Sequence, residues 1–253
     1  MTCGYFYISI NDSSIGALVY SAKRLKEVDP DHPIAVATDT PIPDESKHLF
    51  DQVIMVPGKI DLDGIRDLPP YPHQGLMGKC YHYYKSPYDV TIFLDNDIYI
   101  VRNIAELFDA ATSYDMVGAH DAGHSHYADM PDYFTMINTG MLMYRKSETV
   151  AQFMADWWNN LVDHQPDPND QSPFMLTLWQ YRDKLKFLAL PYEYNFRFIF
   201  PMYAWGEVKV LHGRFDGVPD VAQKINKFTG APRVWYWNDY VCWYDSQKGL
   251  VKP

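Results

Sequence analysis

Two carboxylates stand one residue apart at the end of an apolar run, Tyr88-Asp89-Val90-Thr91-Ile92-Phe93-Leu94-Asp95-Asn96-Asp97. Val90 to Leu94 is apolar at every position but Thr91, the pattern of a parallel strand covered on both faces. In open α/β sheets, ligands sit beyond the carboxyl ends of such strands. In an extended chain Asp95 and Asp97 project from the same side. Two like charges so close are tolerated best when a cation joins them. Oxygen ligands of this kind suit Mn²⁺ or Mg²⁺, with water and phosphate completing the shell. A plain turn or cap is the bland alternative for an Asp-x-Asp.

Three further clusters bear on chemistry. His212-Gly213 follows the apolar run Val208 to Leu211. The imidazole could join the same metal, and Gly213 would let the backbone approach a phosphate closely. A lone His after a strand is more often a hydrogen-bonded structural residue. Asn138-Thr139-Gly140 interrupts the strand Ile137 to Tyr144. Glycine in a strand marks a bulge or the close approach of a ligand, and Asn138 would offer an amide to hydroxyl groups. Asn169-Asp170-Gln171 precedes a helix from Pro173 to Tyr181. Capping is the favoured reading of Asp170 taken alone.

The elements that must position these residues read as an α/β fold. Tyr5 to Ile10 is a buried strand, Ser14 to Glu27 an amphipathic helix with Asp12 or Ser13 as N-cap, and Ile34 to Ala37 a second strand. A short helix over Glu45 to Phe50 leads to a third strand, Val53 to Val56. This rhythm implies a parallel sheet with crossover helices. Residues 57–75 read as an ordered loop and Leu76 to Lys85 as a helix. Ile98 to Val101 continues extended, Ile104 to Ala111 is helical and Met116 to Ala119 is a strand. Residues 120–133 are a polar, His-rich loop. Ser147 to Val162 is an amphipathic helix and Phe187 to Leu190 a strand. Aromatic residues dominate 192–205 and 235–244. The expected organisation is a single domain, with catalytic residues 1–215 and an aromatic extension, 216–253, packed on it.

Taken together, these clusters resemble the GT-A-fold glycosyltransferases, most closely the family 8 type of glycogenin and bacterial galactosyltransferases. Leu94-Asp95-Asn96-Asp97 resembles the family's DxD motif, preceded by Lys79 in a helix. Asn138-Thr139-Gly140 resembles its Asn-(Ser/Thr/Ala)-Gly and Asp170-Gln171 its Asp-Gln pair. Leu190-Pro191 with Tyr194-Asn195 resembles its Leu-Pro…Tyr-Asn. Leu211-His212-Gly213 resembles the opening of its His-x-x-Gly-x-x-Lys-Pro-Trp segment, whose Lys-Pro-Trp is absent here. The match runs in chain order over residues 5–215.

The resemblance implies a Rossmann-like, mixed but mostly parallel sheet flanked by helices. It implies transfer of a sugar from a nucleotide diphosphate, a UDP-sugar in particular, to a carbohydrate or glycan acceptor with retained configuration. Asp95 would bind the donor ribose or the metal, Asp97 the metal, and His212 would be the third protein ligand. Lys79 would contact the donor phosphate or sugar. Asn138 and Asp170 would hold the donor sugar, with Gln171 near the reacting face. The nucleoside pocket would span Ile8 to Asp12, including Asn11, and lie near Asp39. Asn96 and Gly213 would complete the donor contacts, with Arg214 gripping the diphosphate in place of the missing Lys. An inverting enzyme would need a carboxylate base near the acceptor, and Asp121, Asp129 and Asp132 are available.

Composition limits the alternatives. The 253 residues are 47% hydrophobic and 16% aromatic, enough for one sizeable core with rings to spare for stacking on sugars. A net charge of −10 argues against a nucleic-acid surface. Cys3, Cys80 and Cys242 form no CxxC pair, which points to a reducing, cytoplasmic setting. Met1 to Ile10 lacks a basic n-region, and no stretch reaches transmembrane length. A haloacid-dehalogenase-type phosphatase, a nucleotide-sugar pyrophosphorylase and a non-catalytic carbohydrate-binding protein remain as competing readings.

Overall fold

Strand β1 (Cys3–Ser9) is buried from Gly4 onward and alternates its side chains between two cores. Tyr5 and Tyr7 face helix α1 (Ile15–Val28), which buries Ile15, Leu18, Ala22 and Leu25 against them. Phe6 and Ile8 face the opposite layer, built on α2 (His73–His82), α4 (Glu148–Asp163) and α5 (Gln171–Gln180). The molecule, a computed structural model, is described over residues 1–10, 14–58, 73–121, 130–163, 169–213, 218–236, 240–245 and 247–251.

β2 (Ile34–Thr38), β3 (Gln52–Met55), β4 (Val90–Leu94), β6 (Met116–His120), β7 (Ile137–Arg145) and β8 (Phe187–Leu190) join β1 in a seven-stranded sheet of order β3-β2-β1-β4-β7-β6-β8. Only β7 runs against its neighbours; β1 is parallel to both β2 and β4. The sheet is therefore mixed and mostly parallel, flanked by helices in a single domain, as the sequence implied. β4 is buried at all five positions. The order turns back between β1 and β4, so a crevice opens beyond their carboxyl ends.

Several boundaries differ from the sequence expectation. The segment expected as a helix over Glu45 to Phe50 is a 3₁₀ turn, Asp44–Leu49. The helix expected from Leu76 begins at His73 and hands over to a 3₁₀ turn at Tyr83–Lys85. Asp12 and Ser13 lie outside the described residues, as does most of the loop at 57–75 and of the loop at 120–133; Ser14 occupies the N-cap of α1 without a side-chain cap bond.

The chain after residue 196 is more ordered than its aromatic composition announced. β5 (Ile98–Ile100) pairs antiparallel with β10 (Val210–His212). β9 (Met202–Ala204) joins β11 (Arg233–Tyr236), β12 (Tyr240–Asp245) and β13 (Gly249–Val251) in a four-stranded sheet. Helix α6 (Val218–Ile225) buries Val218, Val221, Ala222 and Ile225 in a third core with Tyr99, Phe196, Phe198, Leu211 and Trp235. α3 (Glu106–Ala110) covers the α1 side of the main sheet. No helix among the described residues is long and apolar enough to cross a membrane.

One ion pair clamps three strands. Arg145 donates to Asp115 Oδ1 from Nε (3.1 Å) and Nη2 (2.7 Å), and the Lys186 backbone N–H donates to Asp115 Oδ2 at 2.9 Å. Burial pushes the Asp115 carboxyl up, but these donors outweigh it and hold it below the usual carboxylate range. A depressed native value stabilises above the unfolded-state value near ~4, and that stability is lost as pH falls through the native one. Asp115→Asn is expected to cost about 2 kcal/mol at pH 7. In urea unfolding, the gap to wild type should narrow as pH drops below about 4; a gap unchanged at acid pH would contradict the assignment.

Candidate functional site: an acidic turn and an imidazole at the sheet edge

At the end of β4 the chain turns instead of continuing extended. Ile98 N–H bonds back to the Asp95 carbonyl at 3.2 Å, so a turn over residues 95–98, not strand alternation, brings the two carboxylates together. The expected same-side projection is thus reached by different backbone geometry. Because β7 is reversed, its first residues lie at the same sheet edge, and Asp95 N–H bonds to the Gly140 carbonyl at 2.7 Å. The β5–β10 ribbon sets His212 opposite Ile98, and Gly213 N–H bonds to the Asp97 carbonyl at 3.1 Å.

His212 Nε2 lies 3.2 Å from Asp97 Oδ1 and 3.9 Å from Asp95 Oδ2. Among the described residues these three side chains form a group whose donor atoms all lie within 4.8 Å of one another. Two carboxylates and an imidazole nitrogen fit Mn²⁺ or Mg²⁺, with room for water and phosphate in the remaining positions. Burial raises the Asp95 carboxyl despite Lys79 and His212 nearby. At Asp97 burial is outweighed by the hydrogen bond from His212, and its carboxyl is lowered.

Lys79, on α2, is buried and bridges two carboxylates, Asp95 Oδ1 and Asp170 Oδ2, each at 2.9 Å. Burial disfavours its charge, but the two acids outweigh that and raise its proton affinity. Asp170 has the backbone position of an N-cap on α5, yet its side chain makes no cap bond. It accepts instead from Lys79 and from Thr139 Oγ1 (2.9 Å), while Asn169 Oδ1 caps the Ser172 N–H at 2.8 Å. The capping reading of Asp170 is therefore corrected: Asn169 caps. Trp157 of α4 holds the start of α5 by donating to the Asp170 carbonyl at 2.9 Å.

Asn138 and Gln171 meet at 3.1 Å, and both donate to Asp121 Oδ2, at 3.1 and 2.8 Å. Arg197 adds a third donor to that oxygen at 2.9 Å and lays its guanidinium over Phe200. The strand is irregular here, because the β6–β7 register shifts between Gly118 and His120. Gly140 bears out the bulge reading of the Asn-Thr-Gly, and the groups that crowd it are side chains of the site. It lies in the bulged stretch, and a Cβ there would lie 2.4 Å from His212 Cε1 and 2.9 Å from Asp95 Oδ2. Gly213 has φ +148°, a conformation open to glycine.

These side chains face a cavity of about 740 Å³ lined by Lys79, Asp95, Asn138, Asp170, Gln171 and His212 among others. Of the nucleoside-pocket residues, Ile8 is a core residue near the end of β1. Asp39 follows β2 at the same edge, packed so closely on Gly58 that a Cβ there would meet its Oδ2 at 2.2 Å. Asn96 sits in the turn between the two acids. Asn11, Asp12, Arg214 and Asp129 lie outside the described residues. The sequence reading missed Arg197 and gave Asn195 no task. A polar residue inside the aromatic run 192–200 was the available signal.

Two solved structures of the galactosyltransferase LgtC share this architecture. One, in complex with donor and acceptor sugar analogs, aligns with a TM-score of 0.57 at 14% identity over 77% of this chain and 75% of the other. The second, an active-site mutant of LgtC, aligns with a TM-score of 0.56 at 14% identity over 84% of this chain and 88% of the other. Sequence comparison with curated proteins found no match. The fold is that of the GT-A glycosyltransferases. Residues 87–228, more than half of the chain, match the profile of the nucleotide-diphospho-sugar transferases, and the chain belongs to that family. It is a glycosyltransferase, which sets aside the phosphatase and the non-catalytic readings.

Proposed function

We propose that the enzyme moves a hexosyl group from a UDP-sugar to a carbohydrate acceptor, depends on Mn²⁺ or Mg²⁺, and retains the anomeric configuration. The observation that carries the reading is the convergence of Asp95, Asp97 and His212 at the mouth of the switch-point crevice. These three residues would hold the cation, which when bound supplies Lewis-acid neutralisation of the departing diphosphate. Lys79, with its charge kept by two acids, would meet donor phosphate or sugar. Asn138 and Asp170 orient the sugar, and Gln171 stands beside the reacting face. Ile8, Asn11, Asp12, Asp39 and Asn96 serve the nucleoside and ribose, and Gly213 with Arg214 the diphosphate.

Retention rests on the resemblance to the family 8 enzymes, and one of the three candidate bases for inversion, Asp121, is already engaged. An inverting base must accept the acceptor's proton, and Asp121 Oδ2 already receives three N–H donors. Residues 1–215 would carry the catalytic groups and 216–253 the extension. The cytoplasmic setting rests on the unpaired cysteine pattern; Cys3 and Cys80 are free thiols. UDP at about a hundred times its dissociation constant, with Mn²⁺, is expected to raise the melting temperature by roughly 5–10 °C. Chelation of the metal should remove most of that rise. If no nucleoside diphosphate moves the melting temperature with Mn²⁺ present, the proposal fails.

A further inference from the structure

The chain bends at Trp205-Gly206, and two buried charged side chains hold that bend from both sides. Glu193, in the 3₁₀ turn Tyr192–Tyr194, accepts the Trp205 and Gly206 backbone N–H groups on Oε1 at 2.6 and 2.7 Å. Arg233 of β11 is fully buried. It donates from Nη2 to the Gly206 carbonyl and from Nη1 to the Phe228 carbonyl at 3.0 Å, with the Trp205 carbonyl 3.5 Å away. Burying charged groups is costly unless hydrogen bonds of this kind offset it. Yet the side chain carried by the bend is not buried: Trp205 is 58% exposed. A firmly held backbone thus presents a large ring to solvent.

Trp205 is one of a set. Along β9, Met202 and Ala204 point into the third core and Tyr203 points out. Trp205 lies two residues further on, on the same outer side. β11 pairs Val234 with Tyr203 and Trp235 with Met202, so Val234 and Tyr236 share the outer face while Trp235 is buried. Tyr203 and Tyr236 are 43% and 41% exposed. Carried one step further, the same register sets Tyr236 across from Pro201, which lines the main cavity together with Phe200. The outer face therefore runs from the cavity rim at Pro201 through Tyr203 to Trp205, about 13 Å of strand. None of these outer residues is charged.

A pyranose ring has an apolar C–H face and a rim of hydroxyls. Exposed Tyr and Trp rings match both, with a flat face for stacking and a polar tip for hydrogen bonding. An anionic lipid surface or a nucleic acid is disfavoured by the net charge of −10. We propose that the outer face of β9 and β11, with Trp205 at its far end, is a stacking platform for the sugar rings of an extended acceptor glycan whose reacting end lies in the cavity. The inference rests on the carbohydrate-acceptor reading above and extends it to the sugars behind the reacting one. Such a platform meets ring faces, not particular hydroxyls, so it accepts neutral oligosaccharides of more than one kind.

The test uses maltoheptaose, cellohexaose and mannohexaose with full-length protein free of donor and metal. Fluorotryptophan labelling and fluorine NMR report on Trp205, whose resonance is assigned by its loss in Trp205→Phe. At least one of the three sugars is expected to shift that resonance saturably. In calorimetry, Trp205→Ala and Tyr236→Ala should each bind that sugar about tenfold more weakly, the loss typical of an aromatic anchor. Tyr20→Ala, which removes an exposed ring of α1, should bind it as wild type does. Melting temperatures of the variants serve as the control for folding. The platform is overturned if none of the sugars moves the Trp205 resonance, or if Trp205→Ala and Tyr236→Ala both bind as tightly as wild type. It is equally overturned if the resonance answers only to protein concentration, which marks a contact between copies, or only to phosphatidylcholine vesicles, which marks a membrane contact. Sugar binding at Trp205 in a protein whose melting temperature ignores UDP with Mn²⁺ upholds the platform and sinks the donor reading instead.

Discussion

Asp97→Asn is expected to lower turnover by about three orders of magnitude while leaving the fold intact. Loss of one preorganised electrostatic partner of developing charge costs roughly 10²–10³ in rate. A weakened cation site adds to that. Asp97 is the cleaner of the two acids to change. Its side chain is 36% exposed. Asp95 is more deeply placed and pairs with Lys79, so its loss would also disturb a buried ion pair. Asn keeps the shape of Asp and loses its charge, which isolates the electrostatic role. The measurement is kcat at saturating donor over a Mn²⁺ titration, beside a thermal melt. Turnover within a few-fold of wild type, with unchanged Mn²⁺ dependence, would remove Asp97 from the ligand set.

The second large effect is expected from one added methyl group. In Gly140→Ala the new carbon would sit 2.4 Å from His212 Cε1 and 2.9 Å from both Asp95 Oδ2 and Asn138 Oδ1. The strand cannot easily yield. β7 lies between β4 and β6, and Met141, Leu142 and Met143 beyond it are completely buried. The imidazole must move instead, and a ligand misplaced by about 1 Å can cost roughly 10²-fold. We therefore expect kcat/KM to fall about 10²-fold, with a stability loss of about 1–3 kcal/mol from overpacking. Gly16→Ala is the control. Nothing lies within 4 Å of a Cβ there, and the position is inside α1. It should be neutral or stabilise by up to about 1 kcal/mol. Equal activity in the two variants would mean that the space beside Gly140 has no bearing on the site.

These residues show how far the sequence could be read. The β4 run and its acids were legible because local order carries both: an apolar strand, then two carboxylates. Their geometry was not, since a turn and a strand place residues 95 and 97 together equally well. Asp170 reads as a cap from its neighbours. Only the fold reveals Lys79 and Thr139 claiming its carboxylate, contacts between residues far apart in the chain. Asn195 was quoted as part of a motif but had no visible task, because its partners come from β7 and β10. α6 was legible in principle, with apolar residues at 218, 221, 222 and 225 in helical spacing. The strands β9, β11 and β13 are three or four residues long, too short for period-two alternation to stand out among so many rings.

The ribbon formed by β5 and β10 has a consequence for biosynthesis. The acidic pair comes from neighbouring residues of one turn, held by β7 of the same sheet. The imidazole is carried by a strand whose Leu211 packs with Val218, Ile225 and Trp235. A nascent chain lacking those later residues holds both acids without a firmly seated third partner. The imidazole can therefore take its place beside the acids only after the chain beyond the ribbon has been made and packed.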